Sequence, residues 1–435
     1  MKLEDMILIS TDDHISEPPT VFDNVPSQLR GVMPQCVTDK NGIQAWEFQG
    51  KRTPNVGLNA VVGRRPEEYG VEPLSIEALR KGCYDVHARV DDMSANGQLA
   101  GLNFPQIAGV AGHAFICDDK KLSNQVIQAY NDWHIDEWCG AHPGRFIPNG
   151  IVPLWDMDLA VAEARRLKDK GCHSLSLLPV PNVEGFPSWS SGYWDPLLAA
   201  CEEMNTVINL HISDTAAAVP SPESAVDVFI TNMPVTLFST TSEIVWSHIS
   251  RKFPNVQFGL SEGGAGWIEH WKERADFTYN HHSAWTNQDF GGLLPSQVFD
   301  RQFTACFIKD RTAIRGRDVV GIDNLTWECD YPHSDTTWPK SPEVLYPDFE
   351  GCTDEEINKI SHLNAMRVYQ FDPFKHMKRE DCTVGALRAA AAHVDLSYLS
   401  SEGVIITSEK GKVPTMRDIS AAITEAIGTS ANWIE

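Results

Sequence analysis

The sequence predicts an α/β fold in which parallel strands close into a barrel. Three observations point there. Short apolar runs alternate with longer amphipathic stretches, the pattern of repeated strand–helix–strand units. A length of 435 residues suits one such barrel with insertions. Four separate apolar runs end on an acid or a histidine. A barrel gathers the C-terminal ends of its strands around one mouth, so these side chains can converge there.

The elements follow in order. MILIS (6–10) is the first strand and runs into TDDH (11–14). Residues 14–100 are rich in Pro and Gly with weak periodicity, and are read mostly as a long insertion. LAGLNF (99–104) is the next strand, followed by RFIPNGIVPL (145–154), which Pro148 interrupts. DMDLAVAEARRLKDKG (156–171) is an amphipathic helix with acids at its start and Gly171 at its stop. CHSLSLLPV (172–180), TVINLHIS (206–213), VQFGLSE (256–262) and NLTWECDYP (324–332) are strands, and YWDPLLAACEEMN (193–205) is a helix. Residues 215–240, with many Pro, Ser and Thr, are expected as a loop at the same face. Residues 1–378 thus form the barrel, and 379–435 a C-terminal extension. That extension contains a candidate strand, GVIITS (403–408), and a helix, TMRDISAAITEAIG (415–428), placed to cap the barrel or a neighbouring subunit.

Composition narrows the function. A net charge of −23 argues against nucleic acid as a partner, since a phosphate backbone needs a basic surface. No apolar run is long enough to span a bilayer, so no membrane association is expected. The N-terminus lacks the pattern of a signal peptide, and the cytoplasm is the expected location. The ten Cys are scattered without a CxxC pair, which suggests buried thiols rather than a disulfide framework or a zinc ribbon.

The four strand ends carry the chemistry. Residues i and i+2 of a strand share a face, so Asp12 and His14 can point into the barrel together while Asp13 points out. His211 follows VINL, Glu262 follows VQFGLS, and Asp330 follows NLTWEC. Carboxylates and imidazoles are donors for divalent zinc, manganese or iron. Each residue also has an ordinary explanation. A strand-end His is commonly a bonded core residue, an Asp commonly caps a helix, and Glu262 could bond the amides of the Gly263-Gly264 turn. All four explanations holding together would bury several acids without a cation, which is costly. Glu17, before Pro18-Pro19, suits either the site or a loop-holding role. Trp267, Trp327 and Trp338 lie near these segments, as apolar walls or as core packing.

The order ISTDDHISEPP (9–19), RVDDMSANGQLAGLNFP (89–105), GRFIPNGIVPL (144–154), WDPLLAACEE (194–203), INLH (208–211), FPNVQFGLSEGGAGW (253–267), CDYPHSDTTWP (329–339) and NAMRVYQFD (364–372) resembles the amidohydrolase-related family of the amidohydrolase superfamily. Its relatives include aminocarboxymuconate-semialdehyde decarboxylase and the resorcylate-type decarboxylases. The resemblance covers roughly residues 5–375 and implies a metal-dependent (β/α)8 TIM-type barrel. It places metal ligands at Asp12 and His14 on the first strand, His211 on the fifth and Asp330 on the eighth. The decarboxylases carry a sixth-strand His where this chain has Glu262. That departure weakens transfer of the decarboxylase activity and adds an acid that could support a second ion.

Three functions are therefore open. The first is metal-assisted hydrolysis or non-oxidative decarboxylation of a small organic substrate. Asp330 would ligate one or two divalent ions (zinc, manganese or iron), and Glu262 or His248 would act as acid or base. His248, within VWSHIS, equally suits packing. The second is a dinuclear iron or manganese oxygenase on the same fold. The third is a non-catalytic partner subunit. Homo- or hetero-oligomers are expected by analogy.

Overall fold

Eleven strands are found in the computed structural model, which describes residues 1–40, 42–54, 57–70, 75–212, 221–400 and 411–427. In chain order they are β1 (Leu8–His14), β2 (Gln35–Thr38), β3 (Gln44–Phe48), β4 (Lys51–Pro54), β5 (Gln98–Phe104), β6 (Phe146–Ile147), β7 (Ser174–Leu177), β8 (Val207–His211), β9 (Phe258–Ser261), β10 (Phe303–Phe307) and β11 (Leu325–Trp327). Eight of them form one parallel sheet in the order β6-β5-β1-β11-β10-β9-β8-β7.

A single parallel bridge between Gly150 and Leu175 joins the two ends of that sheet. Gly150 N donates to Ser174 O at 3.0 Å, and Ser176 N donates to Gly150 O at 2.8 Å. The ring is thinnest here because Pro148 has no N–H to give the ladder. The expected strand 145–154 accordingly shrinks to Phe146–Ile147 plus this bridge.

The side chains sort by strand parity. On β10, Phe303, Ala305 and Phe307 join the apolar cluster that packs against the surrounding helices, while Cys306 belongs to no such cluster. On β1 all seven residues are buried, as expected of a strand covered on both faces. Helices start where acids cap them. Asp85 accepts from His87 N and Ala88 N, and Asp156 accepts from Asp158 N and Leu159 N, opening Val86–Asn96 and Met157–Asp169.

Three expectations change. The stretch 14–100 is more ordered than its composition suggested: β2, β3 and β4 form an antiparallel sheet, and Val86–Asn96 is a barrel helix. The segment 215–240 is largely helical where it is described, with Val226–Asn232 and then Pro234–Trp246. Pro234 sits at the first helical position, where no N–H is needed, and Thr236, Thr240 and Thr241 face inward rather than marking a loop. The strand 324–332 is only Leu325–Trp327, because the chain leaves the ladder before the residues of the site. The candidate strand 403–408 lies outside the described residues. The helix Met416–Ile427 forms as expected, and Thr415 bridges to Ala225. Among the described residues no helix is long and apolar enough to cross a membrane.

Candidate metal centre

The C-terminal ends of β1, β8, β9 and β11 bring Asp12, His14, His211, Glu262 and Asp330 together, with His333 beside them. His14 Nε2 lies 3.4 Å from Asp12 Oδ1 and 3.6 Å from Asp330 Oδ1. His211 Nε2 lies 3.0 Å from His14 Nε2, 2.9 Å from Glu262 Oε2 and 3.7 Å from Asp12 Oδ2. His333 Nδ1 is 3.0 Å from Asp330 Oδ1, and its ring stacks on His14 at 3.7 Å. Two donor groups result, Asp12–His14–His211 and His14–Glu262–Asp330–His333, in each of which the donor atoms lie within 4.8 Å of one another.

Local backbone aims these groups. Glu262 and Asp330 both adopt left-handed conformations, with φ of 61° and 55°. Such a conformation is uncommon for Asp and more so for Glu, and costs roughly 1–3 kcal/mol each. Asp330 N donates to Asp12 O at 2.9 Å, which locks the turn after β11 onto β1. The turn after Glu262 does not use the Glu262 carboxylate. Ala265 N and Gly266 N donate instead to Asp310 Oδ2, at 2.9 and 2.6 Å.

Electrostatics favour a cation. Asp12 and Asp330 are completely buried, and among the described residues no well-aligned hydrogen bond satisfies either carboxylate, whose near neighbours are the rings of His14, His211 and His333. Burial pushes both carboxyls well above the usual range, and repulsion from Glu262 and Glu328 adds to it. Burial likewise pushes His14 down, reinforced by His333 and His211, and lowers His333 to about 4. Burial most strongly opposes ionisation of Glu262, but His211 and His333 acting together outweigh it and hold the carboxyl below its ordinary value. Nδ1 of His211 faces Ile212 O at 2.7 Å, so a neutral ring donates there and presents a lone pair at Nε2. That lone pair faces His14 Nε2 and a carboxylate oxygen. A divalent ion removes this conflict, and the residues present fit one.

Other expected residues lie elsewhere. The structure does not bring His248 to the cluster: its Nε2 pairs with Asp195 Oδ1 at 2.7 Å. Glu17 holds a loop, accepting from Gln106 N at 2.9 Å, Tyr130 Oη at 2.8 Å and Ile107 N at 3.1 Å. Trp327 is fully buried in the apolar core, and Trp338 Nε1 donates to Asp92 O. Three residues join the site without having been expected there: His333, Glu328 and Cys306. Glu328 and Asp330 share the i, i+2 spacing that singled out Asp12 and His14, so the same rule reaches Glu328.

The cluster opens onto a cavity of about 540 Å3 lined by His14, His211, Glu262 and His333. A parallel barrel with a His/carboxylate centre at its strand ends defines a class of metal-dependent barrel enzymes. Within that class the chain belongs to the amidohydrolase family, which it matches over residues 78–371, more than half its length. The match begins after β1, so Asp12 and His14 lie ahead of it.

The fold is shared with an amidohydrolase from Mycobacterium avium subsp. paratuberculosis (18% identity, TM-score 0.64, 83% of this chain and 99% of that one). It is also shared with 5-carboxyvanillate decarboxylase from Sphingomonas paucimobilis (19%, TM-score 0.58, 84% and 99%). A third is a dihydroxybenzoic acid decarboxylase from a Polaromonas species, solved with bound manganese and the inhibitor 2-nitroresorcinol (16%, TM-score 0.55, 86% and 98%). No curated protein sequence matches the chain.

Proposed function

We propose that this chain is a metal-dependent enzyme that cleaves a small organic substrate, by hydrolysis or by non-oxidative decarboxylation. The observation that carries the reading is the pair of overlapping donor groups sharing His14, opening directly onto a substrate-sized cavity. Asp12, His14, His211 and Asp330 would hold the ion, zinc, manganese or iron, with Glu262 and His333 within reach of it.

When bound, such an ion supplies Lewis acidity to a substrate carbonyl or carboxylate and lowers the pKa of bound water to roughly 7. The protein supplies placement and proton handling. The Ile212 carbonyl fixes the His211 ring, and Asp330 is held between His14 and His333. Glu262 Oε2 lies 2.9 Å from His211 Nε2 while Glu262 lines the cavity, a placement that suits it to accept or return a proton at a bound substrate.

Leu178, Phe229, Ile230, Met233, Met416 and Ile419 give the cavity an apolar wall, and no Lys or Arg is among its described lining residues. A substrate with an apolar or aromatic body fits it, and a substrate carboxylate would find positive charge only at the metal centre. The decarboxylases that share the fold act on such aromatic acids, as their names state, which supports this reading. The test follows carbon dioxide release from hydroxylated aromatic acids and hydrolysis of small esters and lactones. Turnover should disappear on chelation and return with added metal. A metal-free preparation with undiminished turnover would sink the reading.

The carboxylate-rich donor set favours a second reading, a dinuclear iron or manganese oxygenase. Oxygen uptake that depends on both substrate and reductant distinguishes it from the first.

A further inference from the structure

A second group of donors lies beneath the centre just described. Cys306 on β10, Glu328 after β11 and Asp12 on β1 occupy adjacent strands of the barrel. All three are buried, and their donor atoms lie within 4.8 Å of one another. Cys306 contacts the Glu328 carboxylate closely, and Glu328 Oε2 also accepts from Glu262 N at 3.1 Å. Asp12, whose two buried oxygens no well-aligned hydrogen bond satisfies, belongs to both this group and the upper one.

The geometry points to a second divalent-cation position formed by Asp12, Cys306 and Glu328, with Asp12 as the carboxylate common to both ions. It rests on the reading of the upper cluster as a metal centre. Charge supports it. Asp12, Glu262, Glu328 and Asp330 are four carboxylates gathered at one mouth, and among the described residues the ion-pair partners of Asp12, Glu262 and Asp330 are histidines, with no Lys or Arg among them. Against four carboxylates and a Cys306 thiolate, one divalent ion leaves three negative charges and two leave one.

Donor chemistry sets the ion class. A thiolate with two carboxylates favours borderline-soft divalent ions such as zinc, iron or cobalt over magnesium or calcium. Binding replaces the Cys306 S–H bond with a sulfur–metal bond and releases that proton to solvent. Without the ion, Cys306 and Glu328 remain a hydrogen-bonded thiol–carboxyl pair.

Cobalt(II) reads the difference, because thiolate ligation gives a near-ultraviolet charge-transfer band that oxygen and nitrogen donors do not. Full-length protein stripped by chelation and reloaded with cobalt(II) should bind two ions per chain and show the band. Cys306→Ser should abolish the band and reduce cobalt to one per chain, and Glu328→Gln should lower the second ion's occupancy. If the serine variant does not fold, Cys306→Ala serves in its place. One cobalt per chain without the band overturns the second position and leaves the upper centre standing. A band that persists without Cys306 also overturns it. No cobalt uptake at all overturns both.

Discussion

Asp330 is a buried carboxylate set between the rings of His14 and His333, with no well-aligned hydrogen bond to either oxygen. Asp330→Asn keeps the volume and removes the negative charge. It should abolish turnover and weaken metal binding by more than the roughly 10–100-fold typical of losing a group that merely supports a ligand. The melting temperature of the metal-free protein should stay within a few degrees of the parent. A variant with normal metal content and normal turnover contradicts the assignment. For His211→Ala, metal per folded chain should fall. If stability drops while that ratio holds, His211 only makes its bond to Ile212. Glu262→Gln separates three roles: a ligand loses metal, a proton carrier keeps metal but loses turnover, and a turn support tolerates the change because Gln still accepts a hydrogen bond. The Asp310 bonds to Ala265 N and Gly266 N make the third outcome the least expected. The convergence of Asp12, His14, His211, Glu262 and Asp330 was legible in sequence because each ends an apolar run. Cys306 was not, since FTACF ends on no acid or histidine, and a buried Cys usually reads as a small apolar residue.

Among the elements, the β1–β5 seam is tightly packed. Gly101 lies on β5 where a Cβ would sit 2.2 Å from Asp13 Oδ2, and that oxygen already accepts from Gln98 Nε2 at 2.7 Å. Gly101→Ala must displace the Asp13 carboxylate or spread the two strands. Overpacking of this kind costs about 1–3 kcal/mol. Denaturant unfolding should show that loss, and unchanged stability would mean that the seam yields freely. Strand existence was easier to read than strand extent. β6 and β11 are shorter than their apolar runs because Pro148 breaks one ladder, while the chain turns away at the site in the other. The helices within 226–246 were hidden because Thr and Pro signal loops in sequence, whereas here burial and a helix N-terminus accommodate them.

At the scale of the whole molecule, the C-terminal extension returns to the mouth of its own barrel. Thr415 pairs with Ala225, Met416 N donates to Ser224 O at 2.9 Å, and Met416 and Ile419 line the cavity. The sequence left open whether this segment covers its own barrel or a neighbour, because a helix's apolar face does not say what it packs on. The centre lies inside the fold rather than on a surface loop, so an ion bound there should stabilise the native state. At about 100 times its dissociation constant the gain is about 2.7 kcal/mol. Added manganese should therefore raise the melting temperature of stripped protein, and leave that of Asp330→Asn nearly unchanged. The central claim is that the buried acids and histidines are a metal centre. Elemental analysis of purified protein, after exhaustive dialysis, tests it most directly. At least one zinc, manganese or iron should remain per chain, and be lost in Asp330→Asn. A folded, active chain that carries no metal would contradict the account.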